Sequence, residues 1–149
     1  IIFIILNKSI SEKIVEKIIN KNQIYALIIR SKDQFIKNGV DFKTQDKDLI
    51  QVGFLKHKSK HKIKPHIHKK KERKLNYCTE VLIIKTGKIR IIFYDEKGKN
   101  VNKSKILNKN DLIILFKGGH GFEILKKTEI IEIKQGPYLK DKDKKLFHV

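Results

Sequence analysis

The sequence holds no tryptophan, no methionine, one cysteine and two prolines, and only Arg30, Arg73 and Arg90 carry a guanidinium. Each shortage excludes something. A single thiol, Cys78, allows no internal disulfide, which fits a reducing cytoplasm. With prolines only at 65 and 137, no segment reads as a polyproline linker. Scarce arginine weakens any nucleic-acid reading, because arginine is the preferred fork for phosphates and base edges. No RNP, zinc-finger or helix-turn-helix pattern is present either. Long apolar runs are missing too. The opening "IIFIILNK" is far shorter than a membrane span, and it lacks the basic leader and cleavage site of a signal peptide.

What is abundant is lysine. Lys and Arg total 35 against 16 Asp and Glu, a net charge of +19. Lysine, isoleucine and asparagine are spread along the whole chain, as the codon bias of an AT-rich genome would produce. The charge favours polyanionic ligands in general and nucleic acid only weakly. At 149 residues and 40% hydrophobic, the chain is expected to form one domain with a sizeable core.

Ile10, Ile14, Val15, Ile18 and Ile19 recur at helical spacing behind Ser9 and Ser11, which predicts a short amphipathic helix over 9–21. The rest reads as strands: 24–30, 49–57, 62–68, a hairpin of 78–85 and 89–95 about "TGK", then 103–107, 112–116, 122–125 and 129–135. Many short strands between Gly, Asn, Asp and Lys turns predict an antiparallel barrel or sandwich. The expected organisation is 1–47 as helix and strand, 48–140 as barrel, and 141–149 as a polar tail.

Four side chains suit a divalent transition metal: His66 and His68 in "KPHIH", Glu80, and His120 in the glycine-flanked "KGGHG". Strand alternation would send His66 and His68 to one face. Three imidazoles and a carboxylate favour Zn²⁺, Fe²⁺, Mn²⁺ or Ni²⁺ over Ca²⁺. In "EIIEIKQ", Glu132 and Lys134 share a face; pointing inward, they would orient a substrate or shuttle a proton. Gln135 and Tyr138 follow as candidate ligand contacts. Lys70 and Arg73 in "KKKERK" are expected to rim a pocket for an anionic ligand.

These residues resemble the cupin superfamily. Its first motif, G…H-x-H…E-x6-G, is matched by Gly53, His66, His68, Glu80 and Gly87, with a longer interval between His68 and Glu80 than is usual. Its second is similar to "NDLIILFKGGHGFEIL", where Asn110-Asp111 stand for Gly-Asp and His120 for the last metal ligand; the motif's proline is missing. The resemblance covers about residues 48–138. It implies an antiparallel double-stranded β-helix, the jelly roll, with a metal inside. "GGHGFE…EIKQGPY…DK" is similar to small bacterial cupins often encoded beside surface-polysaccharide genes.

That context implies sugar or nucleotide-sugar chemistry, and the first expectation is a metal-dependent isomerase or epimerase acting on a sugar phosphate or nucleotide sugar, with the metal as Lewis acid. The alternatives are an iron-dependent oxygenase and a non-catalytic ligand sensor. The leading helix and strand 24–30 would either supply a homodimer interface or cap their own barrel.

Overall fold

The structure is a computed structural model, and it describes residues 15–148. It divides into two compact units. One holds residues 15–33 and 77–148, and the other is Gln34–Asn76.

The first unit is an antiparallel sheet. Its strands are β1 (Glu16–Asn20), β2 (Gln23–Ile29), β5 (Glu80–Tyr94), β6 (Asn100–Asn108), β7 (Leu112–Leu115) and β8 (Gly119–Lys134), while β3 (Gly39–Phe42) and β4 (Gly53–Lys56) pair in the second unit. The order runs β1-β2-β7-β5, with β6 continuing along β5 and β8 on the other edge of β5.

The helix expected over 9–21 is corrected where it is described: Glu16–Asn20 is a strand, and residues 9–14 lie outside the described residues. The reason is the turn that follows. Lys21 and Asn22 both have positive φ (47° and 60°), and Asn20 faces Gln23, the two-residue geometry that matches strand twist. Pairing with β2 then overrides helical periodicity. Tyr25 to Ile29 of β2 are buried in the chain's own sheet between β1 and β7.

The expected hairpin about "TGK" is also absent. Residues 80–94 form one strand with a kink. Gly87 has φ +82°, and a Cβ there would run into the backbone of Lys127 and Thr128 on β8. Register against β8 shifts at this point. On β5 the core-facing side chains pass from even numbers (Leu82, Ile84) to odd ones (Ile89, Ile91, Phe93).

The kink lets the β5–β8 ribbon fold back on itself. A straight strand of fifteen residues spans about 46 Å. Yet Leu115 pairs with Glu80 at one end of β5, and Gly119 pairs with Tyr94 at the other. Only residues 116–118 join them, a reach of about 15 Å at most. The two ends of β5 must therefore approach. Gly118 sits at the crossing, where a Cβ would meet the Tyr25 ring and lie 2.8 Å from the Tyr94 carbonyl oxygen.

Inside the fold lie Ile18, Tyr25, Ala26, Ile28, Leu82, Ile84, Ile89, Ile91, Phe93, Leu107, Ile113 and Leu115. At one corner the buried carboxylate of Asp111 accepts hydrogen bonds from Arg30 (2.9 Å) and from the backbone N–H groups of Ser31 and Asn108. The "ND" of the second motif thus ties the β6–β7 turn to the end of β2.

The second unit carries β3 and β4, with Phe35 packed edge-on against Phe54 at 5.1 Å. Residues 62–68, expected as a strand, have no regular structure and are exposed. Proline at 65 removes a donor from that stretch, and closely spaced lysines repel one another.

Candidate active site

The folded ribbon decides which side chains meet. Across β5 and β8, Glu80 pairs with Lys134, Leu82 with Glu132 and Phe93 with His120. Directly opposed residues in an antiparallel pair share a face. Leu82 and Phe93 belong to the core, so Glu132 and His120 project to that same side, as do Glu80 and Lys134 by alternation. His120 and Lys134 stand fourteen positions apart on one strand, yet His120 reaches Glu80. Its Nε2–H donates to the Glu80 carboxylate at 3.2 Å.

Around this pair is a cavity of about 480 Å³. Its wall includes Tyr77, Cys78, Tyr94, Phe122, Glu132 and Lys134, with Lys117 from the β7–β8 link and Asp143 to Phe147 from the last segment. Phe147 stacks edge-on against Tyr94 at 5.1 Å, which holds that segment beside the opening. Four lysines (117, 134, 144, 145) face three carboxylates (80, 132, 143). Lys134 bonds Glu132 at 3.0 Å, while Lys117 reaches Glu96 at 3.4 Å and lies 5.4 Å from the Tyr77 ring centre.

The electrostatics assign distinct states. The hydrogen bond from His120 holds the Glu80 carboxyl below the usual carboxylate range, against the opposing effect of burial; Lys134 and Lys144 add to the lowering. Glu132 holds Lys134 above the usual lysine range. Burial, then the Glu80 charge, push the Cys78 thiol up, so it is protonated at neutral pH and is no thiolate nucleophile. A Glu80 carboxylate that accepts from Nε2–H fixes the ring's orientation and leaves Nδ1 as its other nitrogen.

This pairing makes a pH prediction. Glu80 has a depressed folded pKa, so its stabilisation is present above the unfolded carboxylate pKa and is lost as pH falls through the folded one. Thermal melting between about pH 7 and pH 3 should fall more steeply in the wild type than in Glu80→Gln. Parallel curves would remove the pair from the account of acid sensitivity.

Compared with protein-family models, curated proteins and solved structures, the chain gives no match. The geometry therefore has to speak for the site.

Among the residues read from sequence, Glu80, His120, Glu132 and Lys134 come together at the cavity. His66 and His68 belong to the second unit, both exposed, with ring centres 5.1 Å apart. Lys70 and Arg73 are in that unit as well, whereas the cavity is built from the first. Gln135 makes a structural bond instead: its Oε1 accepts from the Thr79 N–H at 2.7 Å, and its buried Nε2 has no hydrogen-bond partner among the described residues. Tyr138 is exposed, its ring centre 5.5 Å from Lys134 Nζ.

Of the four expected metal donors, Glu80 and His120 thus belong to the first unit and His66 and His68 to the second. Glu80 and His120 supply two ligand atoms to the cavity, and no group of three or more His, Cys, Asp or Glu side chains gathers among the described residues. A metal centre usually takes at least three protein donors. Glu80 and His120 by themselves do not reach that number.

Sequence reasoning passed over Tyr77, Lys117, Lys144, Lys145 and Phe147. The tail read as merely polar, although Leu146-Phe147 interrupts its lysines as an anchor would.

Proposed function

We propose that the cavity binds a small anionic metabolite of the sugar-phosphate or nucleotide-sugar class and that His120, oriented by Glu80, moves a proton on it, as an isomerase or epimerase requires. The observation that carries this reading is the Glu80–His120 contact inside a lysine-rimmed cavity. Lys134, held protonated by Glu132, offers a cation for a phosphate or a developing oxyanion. In an isomerisation His120 Nδ1 would take the proton from the hydroxyl-bearing carbon beside a carbonyl and return it to the carbonyl carbon, while the hydroxyl proton passes to the former carbonyl oxygen through the enediol. A volume of about 480 Å³ suits a small metabolite. The cupin jelly roll remains part of this proposal; the folded ribbon and the Gly87 kink support it.

A second reading keeps the metal. The two motif donors Glu80 and His120, forty positions apart in the chain, meet and would supply two donors to a Zn²⁺, Fe²⁺, Mn²⁺ or Ni²⁺ ion.

One set of samples tests both. A panel of sugar phosphates and nucleotide sugars, assayed by thermal shift, should contain a member that stabilises the wild type by about 2.7 kcal/mol at a hundred times its Kd. Glu80→Gln should keep the shift and lose at least tenfold in turnover, while loss of Lys134 should weaken the shift. No stabilising ligand would sink the proposal, and binding without turnover would make the protein a sensor. Elemental analysis of the same protein, with Glu80→Ala and His120→Ala, decides the second reading. Metal present in the wild type and lost in both variants supports it; equal, negligible metal removes it.

A further inference from the structure

The strongest single-signed feature of the chain lies outside the cavity. Residues 56–74 hold ten cations, Lys56, 58, 60, 62, 64, 69, 70, 71, 74 and Arg73, against the one carboxylate of Glu72. With histidines neutral that gives +9, nearly half of the chain's +19. Every residue from 55 to 78 is exposed, and beyond β4 no strand or helix forms before Glu80. Set among these lysines, Ile67 is 93% exposed and Ile63 57%, so Ile67 is the most exposed large apolar side chain described.

We propose that this segment docks the protein on an anionic lipid bilayer surface. Lysines attract acidic headgroups within a Debye length, about 8 Å at physiological salt, and isoleucine side chains enter the acyl boundary. Two points favour lipid over nucleic acid. Single-stranded nucleic acid is gripped by aromatic stacking platforms, and 56–74 contains no Phe, Tyr or Trp. Nine of its ten cations are lysines, which make poorer forks for phosphate than arginine, and the exposed isoleucines have no role on a phosphate backbone. No helix among the described residues is long and apolar enough to cross a membrane. The docking segment is also independent of the cavity reading, because it belongs to the other unit.

The test is sedimentation of the full chain with phosphatidylcholine vesicles, with and without about a third phosphatidylserine. Binding is expected only to the anionic vesicles, and it should fall steeply as salt rises. Replacing Lys69, Lys70 and Lys71 by Gln should lower partitioning about a hundredfold, at about fivefold per lysine. Ile67→Ser should weaken binding and leave the salt dependence intact. All four positions are exposed, so unchanged thermal melts are expected and confirm folding. Equal binding to both vesicles, binding to neither, or an Ile67→Ser variant as tight as the parent would overturn the proposal. So would an oligonucleotide that binds more tightly than the anionic vesicles and is indifferent to Ile67→Ser.

Discussion

Gly118→Ala should cost about 2–5 kcal/mol of stability, although it adds one methyl group. Two effects act together. At φ +75° the residue is left-handed, where an L side chain costs about 1–2 kcal/mol. Its Cβ would also push into the Tyr25 ring and stop 2.8 Å from the Tyr94 carbonyl oxygen. Neither neighbour yields easily. Tyr25 is 5% exposed and its hydroxyl accepts from Asn20 Nδ2 at 3.0 Å, while Tyr94 is tied into β5. Overpacking of that kind costs a further 1–3 kcal/mol or about that. Gly121→Ala is the matched control, since its Cβ would meet Tyr94 at an ordinary 3.6 Å. Chemical denaturation of the two variants should separate them by more than about 1.5 kcal/mol. Equal midpoints would mean that the 116–118 link is not held as described. The functional consequence follows from position, because this link sets the start of β8 and hence the height of His120.

The β character of the chain was legible because isoleucine runs alternate with turn residues, and several strands fall where that pattern puts them. Two elements escaped for different reasons. A glycine with positive φ serves a hairpin and a kink equally well. Which one "TGK" makes depends on whether a third strand runs past it, and β8, some forty residues later, does. Residues 16–20 satisfy a helical period, but Lys21-Asn22 and pairing with β2 decide the matter through neighbours that a local window does not contain.

The site divides along the same line. Glu132 and Lys134 were readable because alternation along a strand carries a face directly, and Glu80 and His120 because motif spacing and flanking glycines mark them. The meeting of His120 with Glu80 was expected only through the resemblance, since strand alternation does not carry it and it depends on a ribbon folding back over fourteen residues. His66 and His68 were read as strand neighbours, and their stretch forms no strand. The lysines at 144 and 145 gave no signal beyond composition in a chain where lysine is everywhere.

Phe93→Ala is expected to remove about 3–5 kcal/mol and to loosen the site at the same time. Phe93 is 1% exposed, the largest of the fully buried side chains, and packs among Ile89, Ile91 and the rest of the core. Truncation deletes its apolar contacts and leaves a void that stiff, β-branched neighbours fill poorly. Phe93 is also the cross-strand partner of His120. The ring therefore supports the backbone that aims His120 at Glu80, and its loss should lower the ligand-induced thermal shift as well as the baseline melting temperature. Phe93→Leu separates the two roles. It restores most of the volume and should recover most of the stability, with denaturant midpoints as the readout. If His120 depends on the flat ring behind it, turnover will recover less than stability does. If the two recover together, Phe93 acts on the site through folding alone, and the orientation of His120 rests on Glu80.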